Sequence, residues 1–315
     1  MNEQFFVRYD DPDLRPVRDL VGYGEHPPKI TWQNGAKVAI QMVVNYEEGS
    51  EKSFPMGDGE NDVLGELQGT TVGKRDLWLE SEYEYGSRAG IWRLFRVFEA
   101  AGVPVTFFAV AVALERNLAV ARKLAERGDE AMAHGYRWTS ALDMTRDEER
   151  EAIRRAVESI RRTTGTRPVG WFSRKMGPNT RELIVEEGGF EYDSETFNDD
   201  LPYWTRVNGK PHLVVPYTTV FNDIRFVLAQ GWGSPEHFLE TAQAGLNRLR
   251  NDGDDVSRMM SIGLHPRLMG NPARADALAR FIEYAQRFDD VWIARRCDIA
   301  RVFRDQLPAE VALGG

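Results

Sequence analysis

The chain has 315 residues, a length suited to about two domains or one barrel-sized domain. Forty Lys and Arg stand against 49 Asp and Glu, a net charge of −9, so the basic footprint that a nucleic-acid partner requires is missing. The one cysteine, Cys297, excludes an internal disulfide and thiolate zinc clusters, while 16 Phe, 10 Tyr and 8 Trp are ample for a core. No basic-then-apolar leader opens the sequence and no run of about eighteen apolar residues occurs, which predicts a soluble, cytoplasmic protein without membrane contact.

In chain order, residues 1–35 are rich in Pro, Gly and charge and read as an arm laid over the domain. Short apolar or β-branched runs follow at 38–46, 103–112, 130–134, 168–173, 190–194, 212–217, 259–265 and 291–294. Helical patterns at 88–101, 115–127, 145–164, 179–187, 234–251 and 272–288 separate most of them. Thr145 with Glu148 has capping-box spacing, and Ser234-Pro235 and Asn271-Pro272 each set a cap before a proline. This alternation predicts an α/β fold, an irregular (β/α) barrel of seven to eight strands over residues 36–305, with 306–315 as a flexible tail. The stretch 50–82 is polar, glycine-rich and acidic, and reads as a long lid loop over the barrel mouth.

A barrel places its chemistry at the C-terminal ends of its strands. There the sequence puts Tyr46-Glu47-Glu48, His134, Trp171-Phe172-Ser173-Arg174, Asp193 and His265. Glu47 and Glu48 are adjacent, so their side chains leave a strand end in opposite directions, one toward substrate and the other toward a histidine or a backbone amide. His134 and His265 end apolar strands, whereas His26, His212 and His237 fall in a proline-rich arm, a strand start and a helix first turn and read as structural. Tyr46, Trp138, Trp171 and Phe172 offer flat walls for a small planar ring, and Arg174, Asp193 and Asn222 are candidates for its polar edge.

At these residues the chain resembles the polysaccharide deacetylase (NodB-homology) superfamily of amide hydrolases, whose fold is an irregular (β/α) barrel. Asn45-Tyr46-Glu47-Glu48-Gly49 stands where that family has Thr-Phe-Asp-Asp-Gly, His134-Gly135-Tyr136-Arg137-Trp138 where it has His-Ser-x-x-His, and Leu264-His265-Pro266 at its late strand end. The set, together with Tyr83-Glu84-Tyr85-Gly86-Ser87-Arg88 and Asp199-Asp200-Leu201-Pro202-Tyr203-Trp204, is similar to the bacterial urate-pathway allantoinase and cyclic imide hydrolase sub-branch.

The resemblance implies hydrolysis of a C–N bond in a small cyclic amide of the hydantoin or imide type, with allantoin the first candidate. Glu47 is then the general base on water, its pKa raised by a carboxylate neighbour, and His265 the general acid. Metal-dependent relatives hold a divalent ion with one carboxylate and two histidines. Here Glu48 and His134 match two of those positions and Trp138 fills the third, so a zinc site would be weak and no cofactor is expected. Without metal, Glu48 and His134 become a hydrogen-bonding pair that orients substrate or water, and Arg137 or Arg174 supplies the missing positive charge. Two alternatives stand beside this reading: a metal-dependent N-deacetylase of an amino-sugar polymer, and a catalytically dead barrel kept as a scaffold. The resemblance also implies a homo-oligomer, a tetramer.

Overall fold

The computed structural model describes residues 18–63, 71–253 and 256–314. Nine strands occur there: β1 (Val38–Tyr46), β2 (Thr106–Ala109), β3 (Glu130–Ala133), β4 (Gly170–Trp171), β5 (Tyr192–Asp193), β6 (Tyr203–Val207), β7 (Lys210–Val214), β8 (Arg258–Leu264) and β9 (Val291–Ile293). The helices are α1 (Leu77–Tyr85), α2 (Ile91–Ala101), α3 (Ala111–Arg116), α4 (Leu118–Arg127), α5 (Arg146–Thr164), α6 (Thr180–Glu187), α7 (Pro235–Arg250), α8 (Pro266–Met269), α9 (Pro272–Ala285), α10 (Arg296–Gln306) and α11 (Ala309–Ala312).

β1 is buried along its whole length, the state in which a near-continuous apolar run is stable because both faces are covered. The sheet runs β6-β7-β5-β4-β3-β2-β1-β8, with β9 beside the first residues of β1, and every pair is parallel except β6–β7. The outer edge of β8 is met by irregular backbone rather than a strand: Asn222 bridges Gly263, and Met259 N–H donates to Asp200 O. This is the irregular (β/α) barrel that the alternation predicts.

Three features differ from the sequence expectation. β6 has no counterpart among the expected strands; its residues are mostly half-exposed at the sheet edge, and it pairs with β7 across Asn208-Gly209, both at positive φ (49° and 78°). The lid stretch is not all loop, because Asp76 caps Leu79 and Trp78 N–H groups and starts α1 at Leu77. α1 then runs through a π-helical turn, Gly86–Gly90, into α2. The chain end carries α11, with Ala309 buried, where a flexible tail was expected. Of the expected arm, Ile30 and Trp32 are buried, and Trp32 Nε1–H donates to Arg258 O.

Alternation along the strands sorts side chains into two layers. Val38, Ile40, Met42, Val44 and Tyr46 of β1 join Phe107 of β2 and the helices in one core, whereas Ala39, Val43, Phe108, Met132 and Tyr192 face the barrel interior. Gln41, Ser261 and the fully buried Arg296 fill the interior below, and Asn45 reaches Tyr217 across it. Farther along these inward rows stand Glu47, His134 and, past Gly263, His265.

Candidate active site

Glu47 is the hub of the site. Its Oε1 lies 3.4 Å from His134 Nε2 and 3.5 Å from His265 Nε2, and its Oε2 accepts from Arg267 Nη1 at 2.8 Å. Each group is held from behind. His134 Nδ1 is 2.9 Å from Phe172 O, a partner that requires the proton on Nδ1. Its ring also stacks on Phe172 at 5.1 Å. His265 Nδ1 is 2.6 Å from Asp223 Oδ1, and Asp223 Oδ2 accepts the backbone N–H groups of His265 and Met269. Asp223 itself sits in a short 3-10 turn capped by Asn222, whose Oδ1 accepts from Ile224 N–H.

The charges follow from this packing. Burial by itself would raise the Glu47 carboxyl, but Arg267, His265 and His134 outweigh it and hold Glu47 well below the usual carboxylate range. Burial would deprotonate His265, and Asp223 and Glu47 overcome it, pushing its pKa up to about 9. At neutral pH the site therefore pairs an ionised carboxylate with a protonated imidazole. The raised carboxyl is Glu48, pushed to about 7 by burial, an effect that Arg267 opposes and Glu47 reinforces. This corrects the expected upward shift of Glu47: the cation beside it, not its carboxylate neighbour, dominates.

Glu48 points away from Glu47, as adjacent strand residues must. Its Oε2 accepts the Glu47 N–H at 3.1 Å and its Oε1 the Arg267 N–H at 3.2 Å, so it pairs with backbone rather than with His134. The expected Glu48–His134 pair is absent; the two belong to opposite faces of the sheet. Gly86 in the π-helical turn makes room for Glu48, since a β-carbon there would meet Oε1 at 2.5 Å.

Arg267, like Asp223, is a residue of the site that sequence reasoning missed, although it stands two positions after His265. Its guanidinium is fully buried, 4.5 Å from the Tyr83 ring centroid and 5.3 Å from that of Trp138, and 3.7 Å from Glu48 Oε1. Arg137 and Arg174, the expected sources of positive charge, instead bind the lid segment: Arg137 to Asp58 at 2.8 Å and Arg174 to Asp62 at 2.6 Å.

The other expected substrate contacts divide by strand face. Tyr46 lies on the helix side, its hydroxyl 2.9 Å from Ser87 Oγ. Trp171, also on that side, donates from Nε1 to Ser173 Oγ and lines a cavity of about 360 Å³ with His134, Arg174 and α5 residues. Asp193 is enclosed by Arg181 and His212, at 2.7 and 2.8 Å, and is a structural ion pair. Trp138 is a wall for Arg267 on one side and stacks under Arg174 at 4.0 Å. Asn222 does face inward, donating to the Tyr217 hydroxyl at 3.3 Å. Aromatic contacts on the interior side come from Phe172, Phe108 and Tyr217, with the half-exposed Phe197 edge-on to Phe172 at 6.3 Å.

The donor set does not suit the divalent ion of metal-dependent relatives. Both Glu48 oxygens already accept backbone N–H groups, Trp138 offers no ligand atom, and the Arg267 cation sits against both carboxylates. Among the described residues no three His, Cys, Asp or Glu side chains are grouped as metal ligands. Nor, among them, is any helix long and apolar enough to cross a membrane.

A carboxylate, an acid-form histidine backed by an aspartate, and a buried cation at the C-terminal end of this barrel are groups that can serve acid–base hydrolysis, and the relatives of this chain are hydrolases of non-peptide C–N bonds. The comparisons agree. The polysaccharide deacetylase family model matches residues 72–192. A Schizosaccharomyces pombe protein named "Putative polysaccharide deacetylase" is 32% identical over 93% of this chain and 98% of its own. Two crystal structures share the whole architecture. "Puue Allantoinase" superposes with a TM-score of 0.90 at 45% identity over 94% of this chain and 99% of that one. The "probable Polysaccharide deacetylase from Pseudomonas aeruginosa PAO1" gives 0.89 at 47% over 92% and 99%. The chain belongs to the polysaccharide deacetylase family.

Proposed function

We propose that this protein opens a small cyclic amide of the hydantoin or imide type by hydrolysis, with allantoin the first substrate to test, and that it does so without a metal. The observation that carries the reading is the buried constellation of Glu47, His265 and Arg267, in which a guanidinium stands beside the carboxylates and a tryptophan fills the position of a ligand. The likeness to the allantoinase structure, at 45% identity, supports the ring substrate.

In this reading Glu47 takes a proton from water, and the hydroxide adds to the ring carbonyl. The C–N bond then breaks, and the leaving nitrogen takes its proton from His265 Nε2. Both groups are in the required form at neutral pH. Glu47 is a weak base for the task, because Arg267 stabilises its anion. The geometry nonetheless favours it over Glu48, whose oxygens are occupied on the other face. A positioned acid or base of this kind contributes about 10²–10⁴-fold in rate.

The second reading is N-deacetylation of an amino-sugar polymer, favoured by relatives such as the Helicobacter pylori "Peptidoglycan deacetylase", 27% identical over 69% of this chain and 70% of its own. One assay separates them. Allantoin, hydantoin, dihydrouracil, succinimide and chitooligosaccharide are each offered with and without chelator, and ring opening or acetate release is followed. Ring opening that survives chelation supports the proposal; acetate release with no ring turned over replaces it with the second reading.

A further inference from the structure

Tyr217 follows β7 and crosses the barrel interior, its ring packed 4.9 Å from Phe108 and 5.3 Å from Phe172. Its hydroxyl lies between two amides. Asn45 Nδ2 donates to it at 3.0 Å and Asn222 Nδ2 at 3.3 Å. Neither amide can be turned round. Asn45 Nδ2 also donates to Leu264 O, and Asn222 Oδ1 accepts from Ile224 N–H, so in both cases the nitrogen must face Tyr217. A phenol oxygen so placed accepts twice and still carries one O–H.

No protein acceptor is within hydrogen-bond reach of that O–H among the described residues, although Tyr217 is only 5% exposed. Buried hydroxyls are rarely left so. The position is specific. Asn45 lies two residues before Glu47 on β1, Asn222 adjoins Asp223, and Gly263 lies two residues before His265 on β8. The hydroxyl thus sits on the inward face, one layer beneath the carboxylate and the imidazole. Gly263 leaves the space, since a β-carbon there would overlap the Tyr217 hydroxyl and meet Asn222 Nδ2 at 2.5 Å.

We infer that Tyr217 is a catalytic residue whose hydroxyl donates to the carbonyl oxygen of the amide being cleaved, with Asn45 and Asn222 as the positioning residues that fix its direction. This rests on the amide-hydrolase reading above and adds to it the group that binds the oxygen. A donor preset on that oxygen strengthens as negative charge develops there. The two Asn donors increase the polarity of the O–H by hydrogen bonding to its oxygen.

The test compares wild type with Tyr217→Phe, using a hydantoin and the matching 2-thio and 4-thio hydantoins, whose sulfur is a poor acceptor. Loss of the donor should lower kcat about 10²–10³-fold with KM changed far less. It should also abolish the preference of wild type for oxygen over sulfur at the cleaved carbonyl. A purely structural hydroxyl would leave that preference intact, and an unchanged oxygen-to-sulfur ratio in Tyr217→Phe overturns the inference. Thermal melting of both proteins is recorded alongside; Asn222→Asp and Asn45→Asp, which keep the phenol but replace an amide donor with an acceptor that draws the O–H onto itself, should lower kcat and weaken the preference. If wild type opens no ring, the cyclic-amide reading fails by itself. The same two proteins are then compared for calorimetric binding of N-acetylglucosamine and its thioacetamide analogue, and equal selectivity overturns the role of Tyr217.

Discussion

Arg267 Nη1 and Glu47 Oε2 are 2.8 Å apart, and both side chains are sealed from solvent. The pair joins α8, which follows β8, to the end of β1, and the Tyr83 and Trp138 rings flank the guanidinium. Truncation to Arg267→Met leaves a buried carboxylate without its cation, and breaking such a pair costs about 3–5 kcal/mol. Chemical denaturation should show a loss of that order, together with loss of turnover. Arg267→Lys keeps a charge but not the planar group that fits between two rings, and should recover only part of the stability. A fully stable Arg267→Met protein would mean that the pair does not hold the site together.

Arg267 also bears on metal. Trp138→His puts a ligand atom where the family's third one stands. If the missing ligand were the whole reason for a poor zinc site, that single change should produce a protein that retains one zinc through dialysis. With the guanidinium at 3.7 Å from Glu48 Oε1 and closer to Glu47, the single variant should instead retain no zinc. Elemental analysis of the dialysed proteins decides it, and stoichiometric zinc in the single variant refutes the role assigned to Arg267.

The pH profile should report His265. Its proton is held by Asp223 and Glu47 up to about 9, so kcat/KM should fall as pH rises through that value. Because the folded pKa is above the ordinary imidazole value, its stabilising contribution is complete below about pH 6.5 and is lost as pH rises through about 9. Asp223→Asn removes the largest of the charges that raise it, and the alkaline limb should shift toward neutrality. An alkaline limb that stays in place in Asp223→Asn would show that another group sets it.

Part of this site is legible in the sequence, and the misplaced strand residues share one cause. That Glu47, His134 and His265 come together is legible because each ends an apolar strand, and the opposite directions of Glu47 and Glu48 follow from adjacency. The same alternation, applied to every strand, separates Tyr46, Trp171 and Asp193 from the inward rows. They fall out of phase with Glu47, His134 and Phe172 and face the helices or a structural ion pair. Asn208-Gly209 was a readable hairpin signal for β6. Asp223 and Arg267 were not readable in the same way. Each acts through a contact with a strand far away in sequence, and nothing near either residue marks a buried charge.

Arg174 gives the sharpest contrast between a substrate contact and a lid contact. Glu47, His134 and His265 are each at most 5% exposed, and the expected lid segment carries Asp58 and Asp62. That segment is tied down by Arg137–Asp58 and Arg174–Asp62, the latter with the Asp62 side chain buried and Arg174 stacked on Trp138. If Arg174 serves the lid, Arg174→Met and Asp62→Asn break one interaction from its two sides. Each should raise KM about tenfold, equivalent to roughly 1.4 kcal/mol, and the double variant should be no worse than the poorer single one. If Arg174 instead holds substrate, its loss should exceed that of Asp62→Asn and the two effects should add. A double-mutant cycle on KM and kcat separates the outcomes, and additivity would return Arg174 to the substrate pocket.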